Sequence, residues 1–254
     1  MVLRSATAAV VACCLGSAVS VAPARADQWT PSVSFEPPRE IWAGAEAFGR
    51  VLSLYTGSTF APFGNLRQDG VRLRAVTAMS RFNYSGLRYD ATKGDAVTVP
   101  FEGMSRTSDI FAGYQWSFGA TTVKVFAGWE IAAHLITPFD PETLVQGRSM
   151  GPKGALEIWT NFGQRAWAAL DLSYAKAFGA YSSRLRAGWR ASDTISLGPE
   201  VSLIGHDETQ TVRAGAFLRY DNGVDEISAA AGWTKARGSD EGDAYIGVQW
   251  LRRF

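Results

Sequence analysis

The chain has 254 residues, 46% of them hydrophobic, with 25 Lys and Arg against 24 Asp and Glu. That length accommodates one large domain or two small ones, and the near-neutral balance gives no electrostatic basis for nucleic-acid binding. Its two cysteines, Cys13 and Cys14, are adjacent near the N-terminus, which rules out a disulfide framework and a cysteine-rich metal centre.

The first predicted element is a signal peptide over residues 1 to 26. Arg4 supplies the positive start, Ala8 to Leu15 form an apolar run, and Ala24-Arg25-Ala26 is a small-x-small cleavage site. Both cysteines fall inside it, so the exported chain is expected to have no thiol. Removing Arg4 and Arg25 leaves 23 basic against 24 acidic residues, about −1. Residues 27 to 39 follow as an extended lead-in, because Pro31, Pro37 and Pro38 cannot sit in a central strand. No later segment is apolar over the roughly 18 to 20 residues that a membrane helix needs.

From Glu40 onward the period is two. The alternation predicts twelve strands: 40–48, 51–60, 71–82, 109–118, 121–130, 154–161, 166–174, 181–189, 194–203, 210–218, 225–233 and 244–254. Most have the roughly nine to eleven residues of a tilted membrane-crossing strand. In the third, Val71, Leu73, Ala75, Thr77 and Met79 oppose Arg72 and Arg74. In the fifth, Val123, Val125, Ala127 and Trp129 oppose Thr122, Lys124, Phe126, Gly128 and Glu130. In the eighth, Leu185, Ala187 and Trp189 oppose Arg184 and Arg186. One face suits lipid and the other needs a polar interior. An open sheet edge would leave backbone amides unpaired in hydrocarbon at several kcal/mol each, so the expected fold is all-β, a closed antiparallel outer-membrane β-barrel of about 12 strands over residues 40–254.

Connection lengths agree with that topology. The two longest, 83–108 and 131–153, follow odd-numbered strands and are predicted as outward loops, whereas Gly119-Ala120, 162–165 and 190–193 are short turns on the opposite side. Trp129, Trp189, Trp233 and Trp250 stand at outward-facing strand ends, where interfacial aromatic girdles form. The last strand, with Ile246, Val248 and Trp250 on one face and Phe254 at its end, resembles the terminal signal of outer-membrane barrels. A soluble β-sandwich would also alternate, but has no need of those outward tryptophans.

Little conventional chemistry is legible. His134 and His206 have no metal-ligand partner at helical or hairpin spacing, and His206-Asp207-Glu208 offers a base and acids without a hydroxyl nucleophile placed beside them. No catalytic, metal or cofactor-binding residue is assigned, and the expectation is a protein that is not an enzyme and carries no cofactor. The informative polar set is the predicted inward face. It comprises Glu46, Arg72, Arg74, Asp109, Lys124, Phe126, Glu130, Glu157, Trp159, Trp167, Asp171, Arg184, Arg186, Glu200 and Arg213. Two readings stay open: charges paired with one another to fill a narrow barrel, or a hydrated passage in which Phe126, Trp159 and Trp167 offer flat faces to sugar rings.

Several stretches resemble one family, the cellulose biosynthesis protein BcsS family. They are Trp42-Ala43-Gly44-Ala45-Glu46, Asp69-Gly70-Val71-Arg72-Leu73-Arg74, Gly113-Tyr114-Gln115-Trp116, Ser173-Tyr174, Tyr181 to Trp189, Gly198-Pro199-Glu200 and Arg213-Ala214-Gly215-Ala216-Phe217. The resemblance covers nearly the whole exported chain and brings no catalytic residues. It implies a part in making or exporting cellulose or a related exopolysaccharide, as conduit or scaffold. The partners to expect are outer-membrane lipid, a glucan chain and export-apparatus proteins, but no nucleic acid. A general small-solute porin and an outer-membrane hydrolase are the alternatives.

Overall fold

A computed structural model describes residues 37–90, 94–239 and 241–254. The expected signal peptide and all but the last residues of the lead-in lie outside them. Twelve strands follow in chain order: β1 Arg39–Phe48, β2 Val51–Phe60, β3 Gly70–Asp90, β4 Asp95–Phe118, β5 Thr121–Thr137, β6 Gly147–Phe162, β7 Ala166–Ala175, β8 Tyr181–Arg190, β9 Ile195–Gly205, β10 Gln210–Asp221, β11 Asp225–Ala236 and β12 Gly242–Arg253. Each pairs antiparallel with its chain neighbours, and β1 closes on β12, with Trp42 opposite Leu251 and Ala45 opposite Val248. The sheet is therefore a closed barrel in which every strand has a hydrogen-bonded neighbour on both sides, although β3 beyond Phe82 pairs with β4 alone.

Side chains alternate between the two faces as a half-apolar, half-polar sequence requires. Outward, Leu73, Val125, Trp129, Leu185, Trp189, Val201, Leu218, Ile227, Trp233, Ile246 and Trp250 are all substantially exposed, which only a surrounding hydrocarbon makes favourable. Inward, the residues between them are buried. Glycine on the inward face makes room for rings: Gly44, Gly57, Gly103, Gly113 and Gly188 lie directly opposite Tyr55, Trp42, Phe82, Phe126 and Trp167. A Cβ on Gly188 would stand 2.1 Å from the Trp167 ring, and one on Gly57 would stand 2.4 Å from Trp42. The ring of one strand is folded over the bare backbone of the next.

Two predicted loops prove to be largely strand. Residues 83–90 and 95–108 form the upper part of a β3–β4 hairpin whose register runs on to Asp90 opposite Asp95. Residues 131–137 and 147–153 extend β5 and β6, leaving 138–146 as the connection. Beyond hydrocarbon the outward face no longer has to be apolar. Thr98, Pro100, Glu102 and Arg106 there face out while Val99, Phe101, Gly103 and Ser105 face in, so the lipid-facing alternation that marks a strand fades. β3 is 21 residues long against 10 for β2; those eleven extra residues carry it on the order of 35 Å further along its own axis. The barrel thus has one high wall, β3 to β6, at the end where the longer connections lie (the loop end), and the opposite end is formed chiefly of short turns (the turn end).

Candidate functional site

Among the described residues, many polar side chains converge in the interior. All fourteen candidates for the lumen, and Asp109, sit on the inward face, and most are buried. Most of the charged ones are joined in ion pairs. Arg74 of β3 pairs with Glu157 of β6, which also meets Lys124 Nζ at 3.5 Å. Lys153 Nζ bridges Asp109 at 2.7 Å and Glu130 at 2.6 Å. Arg184 reaches Asp171 at 3.4 Å, and Arg213 of β10 reaches Glu46 of β1 at 2.8 Å. Near the turn end, Arg219 and Arg253 both bind Asp221 and Glu226. Lys153, Arg219 and Arg253 carry pairs that the sequence reading did not single out; their inward position follows from the alternation once the strand bounds are known.

Rings fill the space between these pairs. Trp159 and Trp167 stack at 4.1 Å between centroids, and Phe217 lies 5.3 Å from Trp167. Arg74 stands 3.8 Å over Phe126, and Arg186 lies over Trp167 and Phe217. Trp159 has 0% of its surface accessible to water, Trp167 and Phe126 1% each. The flat faces imagined for sugar rings are therefore already occupied by one another and by guanidinium groups. In a water-filled channel the same residues would be wetted.

A connection reaches over each end as well. At the turn end, the 61–69 connection folds inward, burying Ala61, Asn65 and Leu66. Arg72 donates to the Asn65 and Gln68 carbonyls, and Gln115 Nε2 donates to the Leu66 and Gln68 carbonyls at 3.2 Å. At the loop end, the 138–146 connection crosses the mouth as a strap. Fully buried Asp140 accepts from Arg88 Nε at 2.9 Å, Arg88 Nη2 at 2.6 Å and Tyr84 Oη at 2.7 Å, all on β3. Burial by itself would raise the Asp140 carboxyl, but these donors, with the Glu142 amide, outweigh it and hold it below the ordinary carboxylate range. On the other side, Glu208 of the β9–β10 connection accepts from Thr143 Oγ1 at 2.7 Å and from the Leu144 amide. Beside the strap a cleft of about 570 Å³ remains open, bounded by the β1–β2 turn at Gly49-Arg50, the inner side of β3 near Tyr84, and Thr234, Glu241 and Asp243.

The histidines take different roles. His206 is buried in the 206–209 connection; its Nδ1 accepts from the Glu208 amide at 3.2 Å, which makes Nε2 the donor to Thr209 Oγ1 at 2.8 Å. Burial pushes its pKa down to about 4. His134 lies on β5 directly opposite Ser105, with Nε2 at 3.2 Å from the hydroxyl. This serine-imidazole pair was invisible in sequence because Ser105 fell in a predicted loop. Its Nδ1 has no hydrogen-bond partner, so no carboxylate orients the base, and Ser105 and His134 are 1% and 3% exposed. The parts of a nucleophilic site are thus incomplete and shut away from substrate. Among the described residues no three His, Cys, Asp or Glu side chains converge as metal ligands.

The comparisons with known proteins fall into two kinds. The family model for cellulose biosynthesis protein BcsS matches residues 41–254. Solved structures of similar shape include the KdgM porin, with a TM-score of 0.51 at 9% identity over 85% of this chain and 99% of that one. The same porin in complex with disordered oligogalacturonate gives 0.51 at 10% identity, again over 85% and 99%. The TodX deltaS2S3 mutant monoaromatic hydrocarbon channel gives 0.51 at 7% identity over 86% and 91%. At such identities the likeness is one of fold, an outer-membrane-type barrel. No curated protein matches the chain.

Proposed function

The chain belongs to the cellulose biosynthesis protein BcsS family, and from that premise we propose that it serves cellulose production as a closed, non-enzymatic barrel of the outer membrane, a scaffold for the export apparatus rather than an open conduit. One observation carries the choice between scaffold and conduit: the stacked Trp159 and Trp167 and the Arg74–Glu157 pair are themselves almost wholly buried inside the barrel, and the 61–69 and 138–146 connections reach over its two ends. A twelve-stranded barrel has room for a passage, and here side chains use that room. The short turns then face the periplasm and the strap faces outward, as in barrels of this compartment.

A scaffold acts through its surface. On the outer side the strap presents Phe139 and Leu144, 72% and 82% exposed, as apolar contacts above the lipid band, suited to another protein of the apparatus. A glucan chain has the cleft beside the strap, lined by hydroxyl, carboxylate and guanidinium groups that hydrogen-bond sugar hydroxyls.

The tests separate the parts. In planar bilayers the purified protein is expected to give no steady single-channel steps; regular porin-like steps would overturn the scaffold reading. Deleting the gene in a cellulose-producing host is expected to reduce Congo-red binding, restored by complementation, and an unchanged level would remove the cellulose role. Full complementation by Ser105→Ala and His134→Ala together is expected, and loss of function with an intact barrel would instead favour a hydrolase.

A further inference from the structure

Three arginines stand together on the outer face of the high wall. Passing from the turn end to the loop end, the outward residues of β3 are Leu73, Ala75, Thr77 and Met79, and then Arg81. Those of β4 are Trp116, Tyr114, Ala112, Ile110 and Ser108, and then Arg106. Those of β6 are Ile158, Leu156, Gly154, Pro152 and Met150, and then Arg148. On each strand the first charge beyond the lipid-facing series is an arginine.

Register brings the three into one patch. Arg106 is opposite Ala133 of β5, and Ala133 is opposite Arg148, so Arg106 and Arg148 flank a small residue two strand spacings apart, about 10 Å. Arg81 is opposite Met104, which makes it the diagonal neighbour of Arg106 at about 7–8 Å. All three are exposed. Among the described residues none has a carboxylate within 4 Å; the acid on the same face, Glu102, lies four residues past Arg106, opposite Asn83 and Thr137, and is the other diagonal neighbour of Arg81, so three cations stand against one anion. Clustered like charges oppose folding, so the patch calls for a counter-charge from outside the chain. On β7 and β11 the corresponding positions carry single lysines, Lys176 after Tyr174 and Lys235 after Trp233.

We propose that Arg81, Arg106 and Arg148 bind the phosphate groups of an anionic lipid in the outer leaflet. Its acyl chains would lie along Met79, Ile131 and Met150, which are exposed at the top of the apolar band. Guanidinium suits this partner because its planar fork binds phosphate oxygens two at a time, and it is less strongly hydrated than an ammonium. At a membrane interface such contacts add to the attraction of each cation for the surface. The inference rests on the outer-membrane reading above.

The test uses the full barrel refolded in detergent and in bilayer nanodiscs, with bisphosphorylated lipid A as the probe, its dephosphorylated form as the control, and native mass spectrometry as the readout. Wild type is expected to retain the phosphorylated lipid at least tenfold better than the triple variant Arg81→Gln/Arg106→Gln/Arg148→Gln, with the dephosphorylated lipid held weakly and equally by both. Equal retention by variant and wild type, or no preference for the phosphorylated form, would overturn the proposal. Heat-modifiable gel migration reports folding of each variant; should the triple variant not fold, Arg148→Gln alone is expected to lose several-fold, and no loss there overturns the site. Failure of the wild-type barrel to enter bilayers would instead overturn the membrane reading beneath it.

Discussion

Replacing Asp140 with alanine isolates what holds the strap across the mouth. The side chain is fully buried and takes two hydrogen bonds from Arg88, one from Tyr84 Oη and a 3.1 Å bond from the Glu142 amide. Breaking a buried ion pair typically costs 3–5 kcal/mol. Arg88 is 16% exposed and keeps Glu142 at 2.8 Å as a second partner, itself 64% exposed, so the lower figure, about 3 kcal/mol, applies here. The open population of the strap should then rise roughly 150-fold, since 1.4 kcal/mol is tenfold. Chymotryptic cleavage after Phe139 and Leu144, measured at low protease where cleavage is slow relative to reclosing of the strap, reads that population directly. The barrel itself should keep its heat-modifiable migration, because no strand pairing is touched. Cleavage of Asp140→Ala at the wild-type rate would show that the strap does not depend on the Arg88–Asp140–Tyr84 latch.

Three further outcomes follow from the interior and its covers. Lys153→Met leaves Asp109 and Glu130 buried without their shared cation; a loss of about 3–5 kcal/mol is expected, seen as a lower urea midpoint in micelles, with Lys153→Arg losing less. Gly188→Ala drives a methyl into the Trp167 ring, at about 1–3 kcal/mol of overpacking; blue-shifted or broadened tryptophan emission together with a lower midpoint checks it. Acidification should loosen the loop end. The folded pKa of His206, about 4, lies below its unfolded value of about 6.5, so the neutral side chain contributes fully above pH 6.5 and its contribution fades as pH falls to 4. The depressed Asp140 carboxyl adds a loss below the ordinary carboxylate range. Hydrogen exchange at 206–209 and 138–146, corrected for its intrinsic pH dependence, should accelerate over that window, and His206→Gln should flatten the part above pH 4.

What could be read from the sequence was whatever lipid enforces. Val123, Val125, Ala127 and Trp129 against Lys124, Phe126 and Glu130 is a contrast that only a chain between hydrocarbon and a polar interior sustains, and β2 at 51–60 carries it over its whole length. Where hydrocarbon ends, as at Thr98 to Arg106, both faces become mixed, and alternation no longer marks the upper half of the high wall as strand. The inward residues were legible as a set, but their pairing was not. Arg74 finds Glu157 across two intervening strands, and Trp159 finds Trp167 on the neighbouring one. Such pairs depend on strand tilt and stagger around the whole circle, which alternation within one strand does not encode. The mouth strap was hidden for a similar reason, since Asp140 and Glu208 are ordinary loop acids until the barrel brings Arg88 and Thr143 to them.

The ion pair between Arg213 and Glu46 has a bearing on how such a wall is put together. Glu46 belongs to β1 and Arg213 to β10, so the two meet only by way of β11 and β12. Hairpins added one after another from the N-terminal side would satisfy Arg74 and Glu157 once β6 has joined, and would leave Glu46 waiting until the ring shuts. The final seam, Glu40 opposite Arg253 through Phe48 opposite Tyr245, would then capture a charge pair in the same event that joins its backbones. Such an arrangement makes ring closure cooperative and disfavours a half-built, open sheet. Glu46→Gln should accordingly slow the last kinetic phase of refolding into micelles while leaving the earlier phases unchanged.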